Sequence, residues 1–242
     1  MEVLNKLDSI NTKQRILDVA AEMFSQKGFA ATRVDKIALE AGINKALIYY
    51  YFPSKEAILD HLIESFFEEV SATSMAVIRN TVLKFKQEGR MDILPDRFEF
   101  ATKNDLIEFL SDSKKYYEIT LDNLIVKRQI LRIITLESLS DGKHKRELFR
   151  YYAMMENVPD NQLFSAVYDV DNDFSYNAAM IFNKFFFSVI PLINFVIYSD
   201  TYAQMSGQSM EELKKLYLDS LFARFAGHIE ENSIIFQSSP IL

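Results

Sequence analysis

Apolar residues recur at helical spacing along nearly the whole chain, and only six glycines and five prolines punctuate its 242 residues. A turn-rich β protein needs more breakers than that, so the pattern predicts an all-α fold. Ile16, Val19, Ala20, Met23 and Phe24 form one stripe, and Val34, Ile37, Ala38 and Ala41 form another. Ser54 can cap a long helix from Lys55 to about Phe85, before Gly89 ends it. Further helices are expected over 105–110, 121–139, 145–155, 176–198 and 210–229. Breaks are expected at Leu94-Pro95, Asp141-Gly142, Val158-Pro159 and Ser206-Gly207. Three starts carry cap chemistry: Thr12 alone, Thr32 with Asp35 as a capping-box-like pair, and Ser209 with Glu212 as a full capping box.

Composition narrows the function. With no cysteine, disulfide scaffolds, thiolate zinc sites and cysteine nucleophiles are all excluded. The first fifteen residues lack a basic segment followed by an apolar one, so no secretory signal is expected and the location expected is cytoplasmic. The most apolar stretch, Lys184–Asp200, is shorter than a span of about 20 residues and holds Ser188, Pro191 and Asn194. It reads as a buried helix kinked at Pro191, and no membrane partner is expected. The net charge of −7 is unevenly spread. Residues 1–55 hold eight basic and six acidic side chains, a balance of +2, while the remainder holds 19 against 28, a balance of −9. A near-neutral head able to face an anion is joined to an acidic body.

The strongest local signal is TRVDKIALEAGINKALIYYYF, from Thr32 to Phe52. A helix over 33–41 meets Gly42, and a second short helix begins near Asn44. Ile37, Ala38, Ala41, Ile43, Ile48 and Phe52 fit the inside of a helix-turn-helix, whose second helix enters the major groove. From Thr12 to Leu59 the chain resembles the TetR family of bacterial regulators. The likeness rests on Gly28-Phe29, the turn from Ile37 to Gly42, and the ending YYFPSKE.

That resemblance implies a homodimer with a three-helix DNA-binding head over 1–55. It also implies a larger helical body over 56–242 for ligand binding and dimerisation. By position, Lys45, Tyr49 and Tyr50 would face DNA, Lys55 would meet phosphate, and Thr32 would meet the DNA backbone. Ala46 stands where the family often has glycine and Leu47 where it often has a small polar residue; both could read thymine methyls. Tyr51 is expected to be at least half buried. The partner implied is a double-stranded, pseudo-palindromic operator.

In the body, the aromatic loading points to a small apolar or aromatic effector. Phe109, Tyr116, Tyr117, Tyr151, Tyr152, Phe164 and Tyr168 are the candidate lining residues. The last two long helices are the expected dimer interface, through Phe186, Val189, Ile193, Leu218, Phe222 and Phe225. The helix from Lys55 joins head to body, so repacking around a ligand could pivot it and change the spacing of two heads. Asp169, Asp171 and Asp173 alternate as in a calcium loop, but Phe174 stands where that loop needs glycine and Met180 where it needs glutamate. His61, His144 and His228 form no ligand pair, no phosphate-binding or nucleophile-elbow motif occurs, and no cofactor is expected. Two other readings compete with a ligand-responsive repressor. One is an all-α ligand-binding or enzymatic protein that keeps the head as scaffold. The other is a DNA-binding protein that needs no effector.

Overall fold

With so few helix breakers, the backbone amides find their acceptors one turn away over most of the chain. A computed structural model describes residues 2–94, 98–230 and 236–238, and side chains within 11–94 and 98–223. Packing divides the chain into two units: one runs through Glu69 and takes in Lys127–Leu148, the other holds Val70–Val126 and the chain from Phe149.

In the first unit, α1 (Glu2–Lys27), α2 (Val34–Glu40), α3 (Lys45–Tyr51), the start of α4 (Lys55–Ile78) and α7 (Arg128–Ser138) pack together. Phe24, Ile16, Ile37, Ile48, Ile58, Leu59, Ile63 and Leu131 are among its fully buried side chains. The Ser54 hydroxyl accepts from the Ala57 amide at 3.1 Å and starts α4 as expected. Gly28, at φ +81°, closes α1 by donating to the Phe24 carbonyl.

The second unit continues α4 through a π turn (Arg79–Leu83) into α5 (Lys84–Gln87), which Gly89 ends. A hairpin of β1 (Met91–Ile93) and β2 (Phe98–Phe100) follows, and β3 (Phe236–Ser238) pairs parallel to β2. This small sheet is an addition to the helical expectation. The Pro95 half of the expected break at Leu94-Pro95 lies outside the described residues. Then come α6 (Lys103–Val126), α8 (Arg150–Ala153), α9 (Gln162–Tyr168), α10 (Ala178–Lys184), α11 (Ile190–Ser206) and α12 (Met210–Glu230). The core here is Phe85, Met91, Ile93, Phe100, Leu106, Phe109, Phe164, Val167 and Phe174. Ion pairs cross between α6 and α12 in both senses, Lys114 to Asp219 at 2.6 Å and Lys214 to Asp122 at 2.7 Å.

Several expected boundaries move. The helix expected over 105–110 spans 103–126. The one expected over 121–139 is split at Lys127, where φ −100° and ψ 18° leave the helical region. The helix over 145–155 is reduced to a 3-10 turn (Glu147–Phe149) and α8. A helix without a sequence expectation, α9, starts where the Asn161 side chain accepts from the amides of Leu163 and Phe164. Ser209 and Glu212 form the full capping box, with the Ser209 amide and hydroxyl both donating to the Glu212 carboxylate at 2.8 Å.

The apolar stretch over 184–200 belongs to one run of helix from Ala178 to Ser206, formed by α10, a π turn (Phe185–Val189) and α11. At 29 residues it is long and apolar enough to cross a membrane, which overturns the expectation that it is too short. It is also less buried than the expected several-sided burial, since 22% of its most apolar window is covered in the single chain. Pro191 does not end it. The π turn lies directly before the proline and widens the ladder where its ring would strike the preceding carbonyls.

Candidate nucleic-acid interface

The turn between α2 and α3 is closed by backbone alone. The Ile43 amide donates to the Ala38 carbonyl at 3.0 Å and the Gly42 amide to the Leu39 carbonyl at 3.1 Å, with Gly42 at φ +64°. This is a Schellman closure, which needs the left-handed conformation that glycine adopts without strain. Asn44 then caps α3, its side-chain oxygen accepting from the Leu47 amide at 2.8 Å. Ile37, Ala38, Ala41 and Ile48 point inward.

The outward face of α3 carries Lys45, Ala46, Tyr49 and Tyr50; Tyr50 is 78% exposed and Tyr49 46%. Leu47 is half-buried, as is Tyr51, whose ring meets Tyr50 edge-on at 5.1 Å. Lys45 Nζ lies 2.7 Å from the Asp35 carboxylate and 6.0 Å from the centre of the Tyr49 ring. Asp35, by its hydrogen bond and then its charge, holds the Lys45 ammonium above its ordinary pKa. Arg33 and Lys36, both exposed, add cations to the same two helices. Sequence reasoning passed over them, although their charge beside the turn was the available signal.

Two expected DNA contacts are corrected. Thr32 is 2% exposed, and its hydroxyl donates to the carbonyl of Gly28 at 2.9 Å. It forms no capping box with Asp35, because the residue capping α2 is Arg33, without a side-chain bond. Lys55 also turns inward. Its ammonium donates to the carbonyls of Phe29 at 2.7 Å and Thr32 at 2.9 Å, and stands 4.2 Å from the Phe29 ring centre. Both carbonyls lie in the connection between α1 and α2, where Phe29 also accepts from the Thr32 amide at 3.2 Å, and an ammonium with three donors can bridge the two.

His61 packs on Phe52 with ring centres 5.8 Å apart. Burial first, and the nearby Lys13 charge second, push its pKa below the ordinary value. A depressed value means the fold favours the neutral ring. The stability this contributes is present above the unfolded imidazole's pKa of about 6.5 and is lost as pH falls through the lower folded value. The Tm of the wild type should therefore drop more between pH 7.5 and 5.5 than that of His61→Gln, as thermal melts would show.

The seven aromatic candidates of the second unit have different surroundings. Phe109 and Phe164 belong to the core, where Phe109 meets Phe85 and Phe100 with ring centres 5.4 and 5.1 Å apart. Tyr116 is half-buried. Tyr117 accepts from Lys184 at 2.9 Å and meets Phe222 edge-on. Burial pushes the Tyr151 phenol well above its ordinary pKa, while Tyr152 and Tyr168 are exposed. A cleft of this unit is lined by Lys86, Asp92, Ile93, Leu94, Asp171 and Asp173, without any of the seven. Lys86 bonds Asp171 at 2.9 Å and so occupies the acidic run read against a calcium loop. Among the described residues no group of three or more histidine or acidic side chains could hold a metal.

Of the expected dimer contacts, Phe186 is exposed and Val189 and Phe222 are half-buried. Ile193 and Leu218 are corrected: both are buried against their own unit, at 3% and 2% exposure, and present nothing to a partner. Phe225 lies outside the residues whose side chains are described. Besides Phe186, the exposed large apolar side chains of α10 to α12 among the described residues are Phe182, Phe187, Tyr198, Tyr202, Met205 and Leu216.

Residues 16–62 match the family model described as "Bacterial regulatory proteins, tetR family". The chain is 28% identical over 145 residues to the "Probable HTH-type transcriptional regulator YttP" of Bacillus subtilis (strain 168), which covers 57% of this chain and 68% of that protein. It is 52% identical over 46 residues to the HTH-type transcriptional regulator RutR of Escherichia coli (strain K12), covering 19% of this chain and 22% of RutR. The sequence likeness is therefore densest over the head. The fold is similar to that of GusR from Salmonella enterica, with a TM-score of 0.50 at 14% identity over 90% of this chain and 94% of GusR.

Proposed function

This chain belongs to the tetR family of bacterial regulatory proteins, and from that premise we propose that it is a homodimeric repressor which an apolar or aromatic small molecule releases from a pseudo-palindromic operator. Regulators of this family are not enzymes, and the chain is a DNA-binding transcriptional regulator. One observation carries the proposal: Lys45, Ala46, Tyr49 and Tyr50 stand outward on one short helix behind a rigidly closed turn. A cation with two amphipathic rings suits phosphate and base edges in a major groove. Residues 1–55 serve as the reading head and 56–242 as the ligand-binding and dimerisation body.

The second copy covers the exposed aromatic face of α10, α11 and α12, so that a two-fold axis sets two heads on two half-sites. That occupant suits a cytoplasmic regulator better than a bilayer does. With Phe109 and Phe164 committed to the core, effector contacts fall to Tyr116, Tyr117, Tyr151, Tyr152 and Tyr168. Binding that favours one packing of the body would pivot α4 and shift the dimer toward its released state.

The test is titration of the protein against DNA from its own upstream region and against mixed-sequence duplex at several salt concentrations. Specific retention is expected, with Lys45→Ala and Tyr49→Ala each weakening it about tenfold or more. Equal affinity for the two duplexes would overturn the proposal.

A further inference from the structure

We infer that Asp35 competes with DNA phosphate for Lys45 and so limits how tightly the head holds DNA of any sequence; this rests on the head being the DNA-reading surface. Asp35 stands in the first turn of α2, where an acid usually serves the cap or the helix dipole. The cap does not use it. Arg33 caps α2 without a side-chain bond, and Thr32, the other half of the expected capping box, gives its hydroxyl to the Gly28 carbonyl. The Asp35 carboxylate reaches across the turn to Lys45 Nζ at 2.7 Å instead.

Both partners stay open to solvent, with side chains 65% and 53% exposed, so an incoming phosphate can reach the ammonium. To bind it, the phosphate must displace a carboxylate that then remains beside it as a like charge. The charge inventory makes that one residue count. From Arg33 to Tyr51 the cations are Arg33, Lys36 and Lys45 and the acids are Asp35 and Glu40, a balance of +1. Neutralising Asp35 doubles it. Affinity gained this way is blind to base sequence, because phosphate contacts carry no base information. Asp35 thereby keeps the non-specific share of binding low and leaves discrimination to Tyr49 and Tyr50.

The experiment measures full-length wild type, Asp35→Asn, Asp35→Ala, Asp35→Glu, Lys45→Ala and Asp35→Asn/Lys45→Ala against both duplexes, by fluorescence anisotropy across a salt series. Circular dichroism shows which variants are folded. Either neutral variant should bind the mixed-sequence duplex about three- to tenfold more tightly than wild type, with a salt slope steeper by about 0.9 per head. Asp35→Glu should behave as wild type, and Asp35→Asn should gain less once Lys45 is alanine. Folded neutral variants that bind as wild type or more weakly would overturn the inference, and so would an equal gain without Lys45. A wild type that binds neither duplex would instead remove the DNA reading on which the inference stands.

Discussion

Phe24→Ala is expected to destabilise the first unit by about 3–5 kcal/mol and to abolish DNA retention with it. Phe24 has no exposed surface and packs edge-on against Phe29, ring centres 5.2 Å apart. It comes from α1, on which α2 and α7 both pack. Removing the ring opens a cavity at the meeting point of elements that hold the α2–α3 turn, and it frees Phe29, whose carbonyl anchors Lys55. Because a small unit is stable by only about 5–15 kcal/mol, a loss of this size should lower the Tm sharply. Differential scanning calorimetry and the duplex titration check it together. Phe24→Leu, which keeps most of the volume, should recover most of the loss. A Tm near wild type for the alanine variant would contradict the central place given to this ring.

The second large effect separates two roles for one lysine. Lys55→Met keeps the stem against the Phe29 ring but removes both bonds to the carbonyls of Phe29 and Thr32. A loss of about 1.5–3 kcal/mol is expected from charge-assisted bonds that only partly admit replacement by water. At low temperature, where the variant is still folded, its DNA affinity should fall little and its salt slope should stay that of wild type. Were Lys55 a phosphate contact, the slope would flatten by about 0.9 per head. Chemical denaturation and the salt series read the two quantities independently.

These two residues show where sequence reasoning reaches and where it stops. The turn of the head was legible because its constraints are local. Gly42 must take a positive φ, Asn44 must cap, and Ile37, Ala38 and Ile48 must share a face. Lys55 and Thr32 were misplaced because their partners are backbone carbonyls of the connection between α1 and α2, and Lys55 reaches one 26 residues away. No spacing rule exposes such an acceptor.

In the body, the polar run Ser111 to Lys115 interrupts the apolar stripe of α6, so the pattern ended at 110 where the helix runs on to 126. The break at Lys127 carries neither glycine nor proline to announce it. The aromatic residues were counted correctly as a population, but periodicity does not distinguish a ring in a core from a ring on a surface. Phe109 and Phe164 fell in the core, and Ile193 and Leu218 turned toward their own chain.

The two ion pairs between α6 and α12 act as a vernier. Lys114 with Asp219 and Lys214 with Asp122 have opposite polarity along the same pair of helices. Moving α12 by four residues in one direction would bring Lys215 to Lys114, a like-charge encounter, and Met210 to Asp122, which would lose its partner. In the other direction Ala223 and Leu218 would arrive, and both pairs would be lost. Either step is opposed, so these helices keep their register while tilting stays open to them. A signal crossing this unit would travel more readily as rotation of a paired set than as the ratchet that shifts one helix past another by a turn, since that step gives up both ion pairs.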